Sequence, residues 1–280
     1  MRIDAHVHVW TGEPTRDVRA GAGALDRQDT VERLRPLAAR TDMDAVIAVQ
    51  TEGSEAETER LLAIADIHPL VAGVVGWVDL AATDVGARLD RLHAGAGGGR
   101  ITGIRTMLPA DEEAASRPDL LRGMRALVDR GLALDLLIRP AGLSAALSVA
   151  DAMPQLRIVV DHLAKPSLEP SELHHWTRWM RALAERRNVA VKLSGLLTQL
   201  DPGQGTDALL PHVSLALHAF GAQRTMIGSD WPLCESVGGY QRAIRSMERL
   251  VAECGVDGDL VSGGTAEAWY RLALRTGNEA

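Results

Sequence analysis

The sequence predicts an α/β protein, a single (β/α)8 TIM barrel with extra C-terminal helices, occupying residues 1–280 as one domain. Short β-branched, apolar runs recur at roughly 25–35 residue intervals, each followed by a stretch of helical period, which is the pattern of βα units. Eight such runs fall within 280 residues, and a closed barrel of this kind needs about 250. No linker-like break divides the chain, since the Gly-rich stretch from Gly95 to Gly99 is short and reads as a loop before the fourth strand.

In order, the expected strands are Arg2–Val7, Ala45–Gln50, Val71–Val78, Ile101–Met107, Ala133–Ile138, Arg157–Asp161, Val189–Leu193 and Thr225–Gly228. Unbroken apolarity, as in Ile158-Val159-Val160, suits parallel strands covered on both faces. Between them lie helix signals. Ser54-Glu55-Ala56-Glu57 reads as a capping box ahead of Leu61, Leu62 and Ile64. Leu120, Met124, Leu127 and Val128 stripe a helix that Gly131 closes in the left-handed conformation. Leu173, Trp176, Trp179, Met180 and Leu183 stripe another, begun at Ser171. Two further helices are expected at Tyr240–Cys254 and Thr265–Leu274. A doubly wound open sheet is the competing architecture, but its Gly-rich phosphate turn after the first strand is replaced here by histidines.

Composition narrows the function classes. The longest apolar run, Pro69 to Val78, ends at Asp79 and falls short of the ~18 residues of a membrane span. The first residues read as structure and not as a signal peptide, so the expectation is a cytoplasmic protein with no membrane association. A formal charge of −7 opposes nucleic-acid binding. Cys234 and Cys254 form neither a CxxC pair nor a disulfide framework and are expected as reduced thiols, Cys234 in a packing role. Of the 30 basic residues only Lys165 and Lys192 are lysine, which hints that a compact charge suits those two places. The histidines outside the strand ends, His68, His93, His174, His175, His212 and His218, are expected mostly in solvent.

The chemistry collects at strand ends. His6 and His8 lie two apart on the first strand, so their side chains leave one face about 6.6–7 Å apart, with Asp4 expected on that same face. The sixth strand ends at Asp161-His162 and the eighth at Gly228-Ser229-Asp230-Trp231-Pro232. Each residue has a bland reading alone, His162 as a core histidine and Asp230 as a turn carboxylate. Together they meet at the carboxyl-terminal rim where barrel active sites are built. Two or three histidines with one aspartate also form a plausible Zn2+ shell with a position left open for water.

Taken with Val49-Gln50, Gly73-Val74-Val75-Gly76-Trp77-Val78-Asp79, Gly103-Ile104-Arg105, Asp161-His162-Leu163-Ala164-Lys165-Pro166 and Lys192-Leu193-Ser194-Gly195, these motifs resemble the amidohydrolase superfamily. The resemblance spans nearly the whole chain and points to the branch of sugar-lactone hydrolases and 2-pyrone-4,6-dicarboxylate lactonase. It implies that His6, His8, His162 and Asp230 surround the reacting carbonyl of a lactone, and that these four hold the metal if one is bound. Many superfamily members carry a further histidine after the fifth strand and a bridging Lys or Glu on the fourth. This chain has Ile138-Arg139-Pro140 and Arg105 there, which argues against a binuclear centre. One Zn2+ or other divalent ion, or no metal, remains compatible with the family.

In either version Asp230 takes a proton from the attacking water, and His162 orients that water or protonates the leaving alkoxide. Without a metal, His6, His8 and Arg105 stabilise the oxyanion. Arg105 must meet an internal carboxylate or the substrate, and the substrate is the preferred partner. Gln50, Trp77, Lys192 and Trp231 are expected to line the substrate wall. Three functions compete: a sugar-acid lactonase, a metal-dependent decarboxylase or lyase acting on an aromatic or unsaturated acid, and a non-catalytic sugar-acid-binding barrel. The missing histidine disfavours the second, and retention of all four rim residues disfavours the third. The expected partner is a small-molecule lactone.

Overall fold

Strands covered on both faces need apolar side chains at most positions, and the segments at 45–49, 71–76 and 158–160 meet that demand throughout. The structure, a computed structural model, describes residues 1–10 and 30–272. It contains β1 (Ile3–Val7), β2 (Ala45–Val49), β3 (Val71–Gly76), β4 (Ile101–Thr106), β5 (Ala133–Leu136), β6 (Ile158–Val160), β7 (Val189–Leu193) and β8 (Thr225–Ile227). They pair in sequence order as one parallel sheet. Closure comes from the residues beyond β8: the Asp230 amide donates to the His6 carbonyl (2.9 Å) and the His8 amide to the Trp231 carbonyl (2.7 Å). Several strands end one or two residues before the expected carboxyl ends.

The outer layer comprises α1 (Thr30–Ala39), α2 (Glu55–Ile67), α3 (Val85–Ala94), α4 (Glu112–Ala115), α5 (Pro118–Asp129), α6 (Leu143–Ala152), α7 (Pro170–Ala184), α8 (Leu210–Phe220), α9 (Gly239–Glu253) and α10 (Thr265–Tyr270). Ser54 caps α2 by accepting from the Glu57 amide at 3.1 Å. The reciprocal half of the capping box does not form. The Ser54 amide already donates to the Glu52 carbonyl, so the Glu57 carboxylate binds the Thr51 amide and hydroxyl instead. Gly131 takes the expected left-handed conformation after α5, with φ 64°. The last helix ends at Tyr270, where Arg271 is left-handed, and the final positions of the expected Thr265–Leu274 helix lie outside the described residues. No helix among the described residues is long and apolar enough to cross a membrane.

The apolar core has two layers. Ile3, Ala5, Ile47, Val75, Val159 and Met226 fill the barrel interior, which Tyr270 and Leu272 close at its amino-terminal end. A larger layer lies between barrel and helices. His212 belongs to that layer and is not solvated as expected: it is buried on α8 with its ring 4.9 Å from Trp176. Cys234 is buried too, and burial together with the charge of Asp4 pushes its thiol far above the usual range, which fits packing.

Strand β1 departs from simple alternation. Its register with β2 shifts between Asp4 and Val7, the mark of a one-residue bulge. Ile3 and Ala5 face the interior while Val7 and Val9 face the helices. Asp4 therefore does not share the face of His6 and His8. Its Oδ1 accepts from the amides of His6 (3.1 Å) and Ser229 (2.9 Å), pinning the barrel seam from the helix side. Burial raises its carboxyl to about 6, against the bonds from Ser229 and His6.

This raised value fixes the sign of a pH effect. Between pH 4 and 6 the folded state holds a proton on Asp4 that the unfolded state releases, so stability from this group falls as pH rises through about 6. Asp4→Asn keeps an acceptor oxygen but cannot titrate. Urea unfolding should show wild type gaining about 1 kcal/mol relative to the variant on going from pH 7 to 5. Parallel stability curves for the two proteins would contradict this assignment.

Candidate active site

At the carboxyl-terminal end of the barrel, β1 supplies His6 and, just beyond it, His8, while the turns after β6 and β8 supply His162 and Asp230. All four are buried. The His6 ring lies 5.1 Å from His8 and 4.6 Å from His162, centroid to centroid. Asp230 Oδ1 is 3.4 Å from His8 Nε2 and 3.7 Å from His6 Nε2. His6, His162 and Asp161 form a second cluster around the same imidazole.

Hydrogen bonding assigns the His8 tautomer. Its Nδ1 lies 2.8 Å from the Val49 carbonyl, which can only accept, so Nδ1 carries the hydrogen. A neutral His8 then turns an Nε2 lone pair toward Asp230 Oδ1, which has no hydrogen-bond partner. Two acceptors facing each other are reconciled by a cation between them, a proton or a metal ion. Two ligands of a tetrahedral Zn2+ at its usual bond lengths are about 3.3–3.4 Å apart, and the His8–Asp230 separation matches. The donor set thus fits one divalent ion.

The turn that presents His162 is a run of four left-handed residues: His162, Leu163, Ala164 and Lys165, with φ of 55°, 50°, 61° and 52°. Such a run costs about 1–2 kcal/mol per residue and needs support. Trp176 of α7 supplies it, donating its indole N–H to the Leu163 carbonyl at 2.9 Å, and the Lys165 amide closes onto the His162 carbonyl at 2.8 Å. Ser194 Oγ lies 2.8 Å from His162 Nδ1 and fixes the ring. Gly195 follows with φ 61°, and a Cβ there would lie 2.8 Å from both Asp230 Oδ2 and His162 Nδ1.

Burial lowers the basicity of His162, and of His6 still further, so both imidazoles are neutral. For Asp230 burial opposes ionisation, and a positive charge shared with His162, His8 or His6 is what would hold its carboxyl below the usual range. Around this cluster lie more charges. Arg105 Nη1 is 3.4 Å from His6 Nε2 and 3.5 Å from Asp161 Oδ2, and Nη2 donates to the Gln50 carbonyl. Arg105 thus meets an internal carboxylate while remaining beside His6. Gln50 is nearly buried, and its side-chain carbonyl oxygen has no partner. Trp77 is half-buried after β3, its backbone fixed by Thr58 and its ring against Gly53.

Two expected wall residues lie elsewhere. Lys192 is fully buried below the histidines, its ammonium 2.5 Å from Asp135 Oδ2, 3.1 Å from Asp161 Oδ1 and 3.3 Å from His6 Nδ1. Its three N–H groups face protein partners and not substrate. Trp231 is buried among the helix-facing residues and donates its indole N–H to Glu235, because its backbone is committed to the β1 seam. Sequence reasoning missed Asp161, Ser194 and Asp135 as parts of the site. An aspartate inside the apolar run Ala133-Leu134-Asp135-Leu136 was the available signal for the last. Lys165, read as a loop residue, lies within the electrostatic reach of Asp230, Arg139 and Arg105.

Gly195 offers a direct check of this geometry. Gly195→Ala should fold with a stability loss of about 1–2 kcal/mol for the left-handed residue. It should also cut lactone turnover by roughly 100-fold, because the new methyl displaces Asp230 or His162. Unchanged turnover would show that neither group needs its observed position.

Several known proteins resemble this chain over most of its length. A curated L-fucono-1,5-lactonase of Burkholderia ambifaria is 37% identical over 245 residues, covering 86% of this chain and 83% of the relative. One of Burkholderia multivorans is 32% identical over 289 residues, covering 97% and 96%. The crystal structure of an amidohydrolase from Burkholderia multivorans with bound zinc superposes with a TM-score of 0.85 at 31% identity, covering 97% of this chain and 99% of that one. A family model described as Amidohydrolase matches residues 3–272. The chain belongs to the amidohydrolase family.

Proposed function

We propose that this protein hydrolyses a sugar-acid lactone, with a 1,5-lactone of the L-fucono type as the leading substrate. The carrying observation is the corner where His6 Nε2, His8 Nε2 and the ionised Asp230 converge beside Arg105. The two curated lactonases at 37% and 32% identity supply the substrate class. The decarboxylase reading has weaker support, since its likeness rests on structures at 16% identity.

Asp230 accepts a proton from water as the oxygen attacks the lactone carbonyl. Neutral His162, its ring fixed by Ser194, orients that water. The negative charge developing on the carbonyl oxygen falls beside the guanidinium of Arg105, a permanent cation in a site shielded from water. Collapse of the tetrahedral adduct breaks the bond to the ring oxygen, which leaves with the proton that Asp230 carried. The product is the open hydroxy acid, and Asp230 is again ionised. His6, His8 and Asp230 would hold a single Zn2+ or similar ion, with His162 as a further ligand; when bound, such an ion acidifies water and polarises the carbonyl. Gln50 and Trp77 face the substrate side.

Asp230→Asn is nearly isosteric and removes the base. It should lower kcat on L-fucono-1,5-lactone by about 10²–10⁴-fold while the protein still folds. In the wild type Asp230 is ionised and His162, its basicity lowered by burial, is neutral at and above about pH 7, so kcat/KM should be flat there and fall on the acid side. Full turnover in the variant would remove Asp230 from the mechanism.

A further inference from the structure

Barrel interiors are ordinarily stacked with aliphatic layers. Here a column of polar side chains runs from the closed amino-terminal end to the reacting corner. The Tyr270 hydroxyl of α10 donates to Asp135 Oδ2 at 2.7 Å. The same oxygen accepts from Lys192 at 2.5 Å. Lys192 in turn meets Asp161 Oδ1 at 3.1 Å, and that oxygen lies 3.4 Å from His6 Nδ1. Tyr270, Asp135, Lys192 and Asp161 are all buried.

We infer that Tyr270 and Asp135 are positioning residues for His6, acting through Lys192 and Asp161 from the end of the barrel opposite the substrate. Charge alone does not explain the column. A buried ion network gains little stability over an apolar filling, so its presence between two ends of the molecule calls for another role. Lys192 and Arg105 both offer only hydrogens, and they flank the two ring nitrogens of His6. His6 Nδ1 lies between Lys192 Nζ at 3.3 Å and Asp161 Oδ1 at 3.4 Å, so the Lys192–Asp161 pair decides which tautomer His6 holds and how its Nε2 is turned toward Asp230 and His8. Asp135 Oδ1 has no partner. Asp135 is therefore held by its other oxygen alone, and without the Tyr270 hydroxyl only Lys192 would anchor it. The ammonium would then be drawn toward Asp135 and away from Asp161 and His6, loosening the pair that orients the imidazole.

Tyr270→Phe removes one oxygen and keeps the ring that closes the barrel. This inference rests on the lactonase reading for its kinetic readout only, so a spectroscopic readout accompanies it: long-range proton–nitrogen spectra of histidine-labelled protein, with His6 assigned by His6→Asn. The expected wild-type pattern is a single, fixed tautomer at His6. In Tyr270→Phe the His6 resonances should shift, and kcat should fall roughly tenfold with KM within about twofold. Asp135→Asn should move the same resonances. A folded Tyr270→Phe variant with a lowered melting temperature but unchanged His6 resonances and kcat would reduce the column to a structural plug and overturn the inference. Silence of wild type toward lactones, with the His6 shifts intact, would count against the lactonase reading and leave the column in place.

Discussion

One extra residue in β1 decides which side chains of its Asp-Ala-His-Val-His stretch reach the barrel axis. With the bulge between Asp4 and Val7, Ala5 and His6 both point inward, and the parity after them is reversed relative to Ile3 and Asp4. Asp4 is thereby committed to the helix side, where it binds the amides of His6 and Ser229. The same shift lets His6 and His8 face Asp230 across the seam. Seam and site are one construction: the backbone bonds that close the barrel run through His6, His8, Asp230 and Trp231. A barrel closed without the bulge would put Asp4, His6 and His8 on one face, and with Ile3 and Ala5 inward all three would turn toward the helices.

Electrostatics inside the barrel follow from that arrangement. Two carboxylates, Asp135 and Asp161, and two cations, Lys192 and Arg105, occupy space that aliphatic side chains would fill more cheaply. Lys192 remains charged against burial because both carboxylates face it, and Asp161 remains ionised because Lys192 does. Burial raises Asp135 to about 6 in spite of Lys192. Asp230 therefore stands at the rim with the guanidinium of Arg105 nearby, on the other side of His6. Strain is concentrated nearby, in the left-handed turn of His162–Lys165 and at Asp230 itself, with φ 58°.

Much of this was legible in the sequence. The strands follow from apolar runs bounded by turn residues, and the rim residues follow from polar groups placed at the ends of those runs. What escaped has identifiable physical causes. The face of Asp4 was misassigned because a period of two assumes an unbroken ladder, and a bulge leaves no mark in composition. Lys192 read as a substrate contact because its partner Asp135 is 57 residues away, and a pairing at that range is invisible to local pattern. Trp231 adjoins Asp230 in sequence, yet neighbours along a strand end point in opposite directions, and its indole turns to Glu235. Tyr270 sits in an ordinary helix, and only closure of the barrel brings it to the axis.

The central claim is that this rim opens an ester ring. Purified protein of known metal content, mixed with L-fucono-1,5-lactone, related 1,4- and 1,5-aldonolactones, pyrone dicarboxylates and aromatic carboxylic acids, can be followed for proton and carbon dioxide release together. The account predicts proton release from a sugar 1,5-lactone and no carbon dioxide from any acid. Carbon dioxide from an aromatic acid, with silence across the lactones, would contradict it.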